Sequence, residues 1–207
     1  MRASGMITPV TRDDTSAAIL AGGRARRLGG LDKSRLVVSG QPIIVRQLAV
    51  LQPIARDVFV VAPDASRFVD LNVRVCPDVV AGAGAIGGIL TAVECADAPF
   101  VIVIACDLPF LTTELLARLA ELAETADASW IVRARGAEPL VACYRKSTAA
   151  AIRSAIDLGR LKAAELDRVL RISTMNEAEI ARFGPPERIL ANVNTPDDYA
   201  RIEYRVS

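Results

Sequence analysis

The chain has 207 residues, enough for one domain with a substantial core and too few for two comfortable ones. Its net charge of +1 and its 4% aromatic content argue against nucleic-acid binding, which depends on basic charge and on aromatic side chains that stack on bases. Although 52% of the residues are hydrophobic, no apolar run reaches the roughly 18 residues of a membrane-spanning helix, so we expect a soluble globular protein.

The cysteine and histidine content narrows the possible chemistry. Four cysteines are present, none in a C-x-x-C pair, and the chain has no histidine. A structural zinc site and a histidine-dependent nucleophilic mechanism are therefore not expected. We interpret the cysteines as buried apolar thiols in a reducing compartment, which predicts a cytoplasmic location.

The first half of the chain alternates between strand and helix patterns. Residues 1–16 lack the long apolar segment of a signal peptide and are expected to form a flexible leader before a single domain at 17–207. Strands are predicted at four short apolar runs: 17–21, 58–62, 73–76 and 100–105. Helices are predicted between and after them, at 44–51, 86–96 and 112–124.

The pattern changes after Trp130, which we interpret as a core residue. The remaining elements are predicted as strands at 130–134 and 140–144, a helix from about Lys146, a poorly patterned stretch to Pro186 and a final helix after Thr195. Apolar strands that alternate with helices indicate an α/β fold, with a mostly parallel twisted sheet and helices on both faces.

A glycine-rich basic loop follows the first predicted strand, where ligands bind in sheets of this class. The segment LAGGRARRLGGLDKSRL (20–36) contains four glycines, five basic residues and one acidic residue. Glycines allow successive backbone amides to surround an anion, and arginine and lysine add charge for phosphate oxygens. The loop has neither Walker A nor dinucleotide-binding spacing, and by itself it is equally typical of a surface turn.

A carboxylate closes the fourth predicted strand. Asp107, in ACDLPFL (105–111), follows a wholly apolar run, where an unpaired carboxylate is costly unless it holds a metal. Because Pro109 and Thr112 end the strand and cap the next helix, a role confined to that helix start is the alternative. Combined with the basic loop, Asp107 indicates a site for Mg²⁺ and a polyphosphate, since Mg²⁺ binds one or two carboxylates together with phosphate oxygens.

Four segments together resemble the motifs of one enzyme family. They are the loop LAGGRARRLGGLDK, CDLPFL, EPLVACY (138–144) and NVNTPDDY (192–199). In this order they are similar to molybdenum cofactor guanylyltransferases, within the wider family of small nucleotidyltransferases. The resemblance implies a single-domain, Rossmann-like nucleotidyltransferase fold. It also implies transfer of GMP from Mg²⁺-bound GTP to the phosphate of molybdopterin, which yields the guanine dinucleotide cofactor and pyrophosphate.

The resemblance implies roles for particular residues. The nucleotide would be bound by Leu20, Ala21, Gly22, Gly23, Arg27, Lys33, Asp78 and Asp107. Lys33, reaching the α-phosphate, and Asp107, holding Mg²⁺ with Asn194, would be the catalytic pair. Asn192 and Asn194 would contact molybdopterin. Transient contacts with proteins that deliver or receive the molybdenum cofactor are a further expectation.

Two segments depart from the family pattern. The family often has asparagine at the end of the second strand, where this chain has Val61, Ala62 and Pro63. Its usual Gly-Pro-Leu-Ala-Gly turn appears here as GAIGG (84–88). The first departure concerns a nucleotide contact. Cytidylyl transfer or transfer to another phosphorylated acceptor is therefore the first alternative, and a non-catalytic nucleotide-binding adaptor is the second.

Three polar residues near the predicted 140–144 strand have simpler explanations. Glu138 suits a strand-entry turn as well as a substrate contact. Arg133 and Arg135 are positioned to meet the phosphate of molybdopterin, but solvated surface arginines are common and we favour that interpretation for both.

Overall fold

Seven strands form one sheet in the computed structural model, which describes residues 10–22, 33–193, 195 and 198–199. They are β1 (Thr15–Leu20), β4 (Asp57–Val61), β5 (Arg74–Cys76), β6 (Phe100–Ala105), β7 (Ala128–Arg133), β8 (Gly136–Arg145) and β9 (Ile172–Met175). Their order is β5-β4-β1-β6-β8-β7-β9, and β2 (Val37–Val38) and β3 (Gln41–Pro42) form a separate antiparallel pair. Only β8 runs against its neighbours in the main sheet.

Helices cover both faces of this sheet, as the sequence predicts. They are α1 (Ile43–Leu51), α2 (Gly84–Cys95), α3 (Thr113–Ala123), α4 (Ala149–Asp157), α5 (Glu177–Ile180) and α6 (Pro186–Ile189). The apolar side chains of α1 and α3 share a core with Ile19, whereas those of α2 and α4 share the opposite core with Ala18. Successive residues of β1 therefore face opposite layers, which explains why residues 17–20 of this strand are all apolar.

Several local predictions agree with the structure. The helix α3 begins after Thr112, whose side chain accepts a hydrogen bond from the Leu115 amide. Trp130 is buried, and β7 and β8 are adjacent strands. Within the described ranges, no helix is both long enough and apolar enough to cross a membrane.

The stretch to Pro186 contains a strand that the sequence analysis misses. Strand β9 pairs in parallel with β7 at the edge of the sheet. Only Met175 of its four residues is buried, so the strand lacks the apolar run that marks the central strands. The predicted helix after Thr195 falls largely outside the described residues.

The first strand begins two residues before position 17, where the sequence predicts the domain to start. Strand β1 begins at Thr15, and the Val10 amide donates a hydrogen bond of 2.6 Å to the Glu124 carboxylate beyond the end of α3. Thr15 and Ser16 are thus buried in the sheet, whereas Thr11, Arg12 and Asp13 before them are exposed. Residues 1–9 of the predicted leader lie outside the described residues, and their flexibility stays a prediction.

The GAIGG segment forms the beginning of α2 rather than a separate turn. A Cβ atom on Gly87 would lie 2.8 Å from the Ala83 Cβ and 3.2 Å from the Val80 carbonyl oxygen. On Gly88 it would meet only the end of the Leu20 side chain, at 3.1 Å. Glycine at position 87 thus allows α2 to pack closely against the chain that precedes it.

This difference predicts unequal effects of two alanine substitutions. Both gain helix propensity, but Gly87→Ala forces a shift of backbone whereas the Leu20 side chain can adjust to Gly88→Ala. We expect Gly87→Ala to have the lower free energy of unfolding, by about 1–3 kcal/mol. Chemical denaturation of the two variants checks this, and equal stabilities would contradict the packing explanation.

Candidate active site

Four parallel strands end at the same edge of the sheet. Leu20 of β1 is paired with Val61 of β4 and with Ala105 of β6, and Val61 is paired with Cys76 of β5. The segments that follow these strands therefore leave the sheet side by side along one edge, called the rim below. The rim is where α/β sheets of this kind bind ligands.

Lys33 and Asp107 meet at the rim. Lys33 begins a short 3-10 helix (Lys33–Arg35), and Asp107 lies two residues beyond β6. The Lys33 Nζ atom lies 3.5 Å from the Asp107 Oδ2 atom, and the two side chains are 21% and 19% exposed. The structure thus brings together the two residues that the resemblance implies to be catalytic.

Burial dominates the electrostatics of Asp107. Desolvation raises the pKa of this carboxyl, and the opposing charge and hydrogen bond of Lys33 do not cancel the effect. Glu138 adds a smaller repulsion in the same direction. Lys33 therefore offsets only part of the cost of burying the ionised carboxylate, and a cation beside Asp107 would offset more of it.

Buried polar contacts fix the segment that carries Asp107. The Gln47 side-chain amide donates to the carbonyls of Ala105 and Leu108, at 2.8 and 3.1 Å. On the other side, the Val193 amide donates to the Asp107 carbonyl at 2.9 Å. The sequence analysis does not identify Gln47. A glutamine on the apolar face of α1 nevertheless indicates a buried side chain that makes hydrogen bonds.

Gly22 and Asp78 lie together at the other end of the rim. A Cβ atom on Gly22 would be 3.5 Å from Asp78 Oδ2 and 3.8 Å from Pro63 Cδ, so the backbone of the loop passes close to this carboxylate. Partial burial raises the pKa of Asp78. Nearby, Arg67 donates to the Ala21 carbonyl at 3.4 Å.

Thr91 anchors the segment that carries Asp78. Its hydroxyl accepts a hydrogen bond of 3.0 Å from the Val79 amide and donates one of 2.9 Å to the Gly87 carbonyl. The buried hydroxyl thus ties the chain after β5 to α2. The apolar surroundings of Thr91 in the sequence gave no indication of this role.

A cleft of about 340 Å³ opens beside Asp107, on the side away from β1. Its walls come from several elements: Ala85, Ala105, Asp107, Leu108, Arg135, Glu138, Pro139, Leu140, Val141, Leu190 and Asn192. Because β8 is antiparallel to β6, its first half reaches the rim where β6 ends. Asn192, from the C-terminal part of the chain, lines the same cleft as Asp107.

The predicted site residues thus divide into two groups along the rim. Leu20, Ala21, Gly22 and Asp78 lie at the ends of β1 and β5, whereas Asn192 and the Lys33–Asp107 pair lie at or beside the cleft. Gly23, Arg27 and Asn194 fall outside the described residues. The interpretation of Arg133 as a solvated arginine is wrong, because its side chain is only 16% exposed and lies between two glutamates.

The donor set fits a divalent cation that is bound largely through substrate. The described residues contain no group of three or more acidic, cysteine or histidine side chains suited to hold a metal. Mg²⁺, however, commonly binds through one or two carboxylates together with substrate phosphates and water. Asp107 meets that requirement. It is a partly exposed carboxylate at the cleft, and the charge of Lys33 does not fully compensate its burial.

Comparison with protein families gives a match to most of the chain. Residues 17–178 match the model described as "MobA-like NTP transferase domain". This range includes most of β1 together with Lys33, Asp78 and Asp107, and it ends before Asn192.

Curated relatives and a solved structure match over nearly the whole length. A probable molybdenum cofactor guanylyltransferase from Chloroflexus aggregans is 34% identical over 194 residues, which cover 91% of this chain and 93% of the relative. One from Carboxydothermus hydrogenoformans is 33% identical over 187 residues, covering 90% and 94%. The crystal structure of molybdopterin-guanine dinucleotide biosynthesis protein A from Archaeoglobus fulgidus superposes with a TM-score of 0.79 at 27% identity, covering 92% and 98%.

Proposed function

The chain belongs to the MobA-like NTP transferase family, and from that premise we propose that it transfers GMP from GTP to the phosphate of molybdopterin. The family makes it a nucleotidyltransferase, and the predicted resemblance is confirmed. The choice of GTP and molybdopterin is supported by the names of the relatives that match over nine-tenths of the chain.

The observation that carries this proposal is the contact between Lys33 and Asp107. A cation and a carboxylate lie 3.5 Å apart at the rim, and the carboxylate also lines the cleft. A nucleotide bound along the Gly22–Asp78 side would place its α-phosphate near Lys33, and an acceptor in the cleft would approach from the opposite side. Such an arrangement suits transfer between two bound substrates.

The reaction needs charge neutralisation more than proton transfer. An oxygen of the acceptor phosphate forms a bond to the α-phosphorus while the bond from that phosphorus to the β-phosphate oxygen breaks. Pyrophosphate leaves with the electron pair, and no group is oxidised or reduced. Because the attacking phosphate is ionised at pH 7, no general base is required, which agrees with a chain that has no histidine.

In this proposal Lys33 balances the charge that develops on the α-phosphate, and Asp107, with Asn194, holds Mg²⁺. The bound Mg²⁺ would supply Lewis-acid stabilisation of the phosphate oxygens. Gly23 and Arg27 bind the departing pyrophosphate, and Leu20, Ala21, Gly22 and Asp78 bind the nucleoside. Asn192 and Asn194 contact molybdopterin. Transient contacts with cofactor-delivery or acceptor proteins stay a prediction.

Pyrophosphate release tests the proposal directly. With Mg²⁺, GTP and molybdopterin together, we expect release of one pyrophosphate for each guanine dinucleotide formed, whereas omission of molybdopterin stops it. Binding of GTP without turnover would instead support a nucleotide-binding adaptor.

A comparison of nucleotides tests the choice of base. We expect GTP with Mg²⁺ to raise the melting temperature of the protein more than ATP, CTP or UTP does at equal concentration, because only the bound base differs among them. Val61 and Ala62 stand where the family often has an asparagine that contacts the nucleotide, so this position does not indicate which base is bound. Selective stabilisation by CTP would replace guanylyl with cytidylyl transfer.

A further inference from the structure

Four charged side chains form a cluster at the β7–β8 hairpin, called the hairpin cluster below: Arg133, Arg135, Glu138 and Glu177. The Glu138 Oε1 atom accepts a hydrogen bond of 2.9 Å from Nε of Arg135 and lies 2.8 Å from Nη2 of the same guanidinium group. It also lies 3.8 Å from Nη1 of Arg133, whose Nε lies 3.6 Å from Glu177. A chain of opposite charges therefore connects α5 to the tip of the hairpin.

A bulge in β8 brings this cluster to the cleft. Trp130 is paired with Ala142, but the next residue of β7, Ile131, is paired with Glu138. Residues 139–141 are therefore additional on β8 and line the cleft, and the Tyr144 hydroxyl donates to the Pro139 carbonyl at 2.8 Å. Bulges next to active sites commonly redirect side chains in this way.

Arg133 is the fixed member of the cluster. Its side chain is largely buried, and among the described residues its buried Nε and Nη1 atoms have no hydrogen-bond partner. An arginine in this state is retained only because the two glutamates balance its charge. Arg133 in turn attracts Glu138 and limits the positions that the Glu138 carboxylate can take.

Arg135 is the accessible member. Its side chain is 57% exposed and lines the cleft together with Asp107. The contacts with Glu138, through Nε and Nη2, use one edge of the guanidinium group, and a guanidinium has five N–H donors arranged on more than one edge. The other edge is suited to a second planar or tetrahedral anion, above all a phosphate.

The order of the strands places Arg135 on the acceptor side. The attacking and leaving oxygens of a phosphoryl transfer lie roughly in line on opposite sides of the phosphorus. The glycine-rich loop that follows β1 is proposed to hold the leaving pyrophosphate, and β8 lies next to β6 on the side away from β1. An acceptor phosphate that attacks near Asp107 therefore comes from the side of the hairpin cluster.

We propose that Arg135 binds the attacking phosphate of the acceptor substrate and that Glu138 is the positioning residue that holds its guanidinium in place. This inference rests on the proposed function, because it assigns a binding residue to the phosphorylated acceptor of that reaction. Asn192, which also lines the cleft, then contacts the remainder of the acceptor.

Arg135→Gln tests the binding role. We expect the KM for molybdopterin to rise by about tenfold or more, in line with the loss of charged hydrogen bonds, while the KM for GTP changes less than about twofold. Arg135→Lys, which keeps the charge, restores part of the affinity. The matched control is Arg118→Gln, since Arg118 forms the same i,i+3 pair with Glu121 on the solvent-exposed face of α3 and its loss should leave both constants unchanged.

Glu138→Gln tests the positioning role. Arg135 keeps its charge but loses its ionised partner, so we expect a smaller rise in the KM for molybdopterin than in Arg135→Gln. The double variant Arg135→Gln/Glu138→Gln should resemble Arg135→Gln alone, because Glu138 acts through Arg135. Independent, additive effects would show that Glu138 contributes by another route.

Inorganic phosphate separates this proposal from the choice of acceptor. The protein is first saturated with a non-hydrolysable analogue of the nucleotide that it binds, and phosphate binding is followed by phosphorus NMR. We expect binding to the wild type and to Arg118→Gln, and its loss in Arg135→Gln. If molybdopterin accepts no GMP while this pattern holds, the proposed function fails and the phosphate site stands. If Arg135→Gln binds phosphate as the wild type does, the Arg135 assignment is overturned.

Discussion

Lys33→Ala is expected to lower the rate of nucleotidyl transfer by about two to three orders of magnitude, the effect of removing one electrostatic stabiliser of a transition state. The Lys33 side chain is the cation that lies beside Asp107 at the rim, and the barrier to transfer is largely the repulsion between phosphate groups. Steady-state assays of pyrophosphate release measure the effect.

Two further variants make the Lys33 experiment specific. Lys33→Arg keeps the charge but changes its shape, so its activity should lie between those of the wild type and Lys33→Ala. Lys162→Ala is the matched control. Lys162 also lies near a carboxylate, 3.7 Å from Glu165, but its side chain is 82% exposed and it is far along the chain from Lys33 and Asp107. A transfer rate in Lys33→Ala close to that of Lys162→Ala would remove Lys33 from the mechanism.

Asp107→Asn is expected to abolish transfer that depends on Mg²⁺. Asparagine keeps the size of the side chain and one oxygen but lacks the negative charge that a divalent cation requires. Titration of activity against Mg²⁺ concentration checks this, with Asp97→Asn as the control, since Asp97 is an exposed carboxylate paired with Arg74. Normal activity of Asp107→Asn at ordinary Mg²⁺ concentration would contradict the metal assignment.

The same variant should be at least as stable as the wild type without metal. Because burial raises the pKa of Asp107 in the folded protein, its ionised form opposes folding at neutral pH. Asp107→Asn removes that cost. As the pH falls through the raised pKa, Asp107 becomes protonated in the folded state and the advantage of the variant should shrink. Thermal unfolding at several pH values measures the difference and also shows that lost activity does not come from unfolding.

The sequence predicts the central layers of the fold because β1, β4 and β6 each contain a short run of apolar residues. Strands such as β1 and β6 are covered on both faces, so every residue is selected for burial. The edge strand β9 has a single buried residue, so it lacks the apolar run from which the other strands are predicted. Parallel neighbours can be predicted from strand–helix alternation, whereas the bulge in β8 depends on register that local sequence does not determine.

For the site, the sequence predicts the residues that meet substrate better than those that support them. Asp107 stands out as a carboxylate after an apolar strand, and Lys33 as part of a basic glycine-rich loop. Gln47 and Thr91 act through backbone groups of distant segments, and such contacts become visible only after folding. Arg133 resembles any surface arginine until the positions of Glu138 and Glu177 are known.

A crystal structure with Mg²⁺ and a non-hydrolysable GTP analogue tests the central claim most directly, namely that Lys33 and Asp107 together act on one nucleotide triphosphate. The account predicts the α-phosphate within hydrogen-bond distance of Lys33, the cation in contact with Asp107, and the nucleoside on the Gly22–Asp78 side. A nucleotide bound elsewhere, with no phosphate or cation at either Lys33 or Asp107, would contradict it.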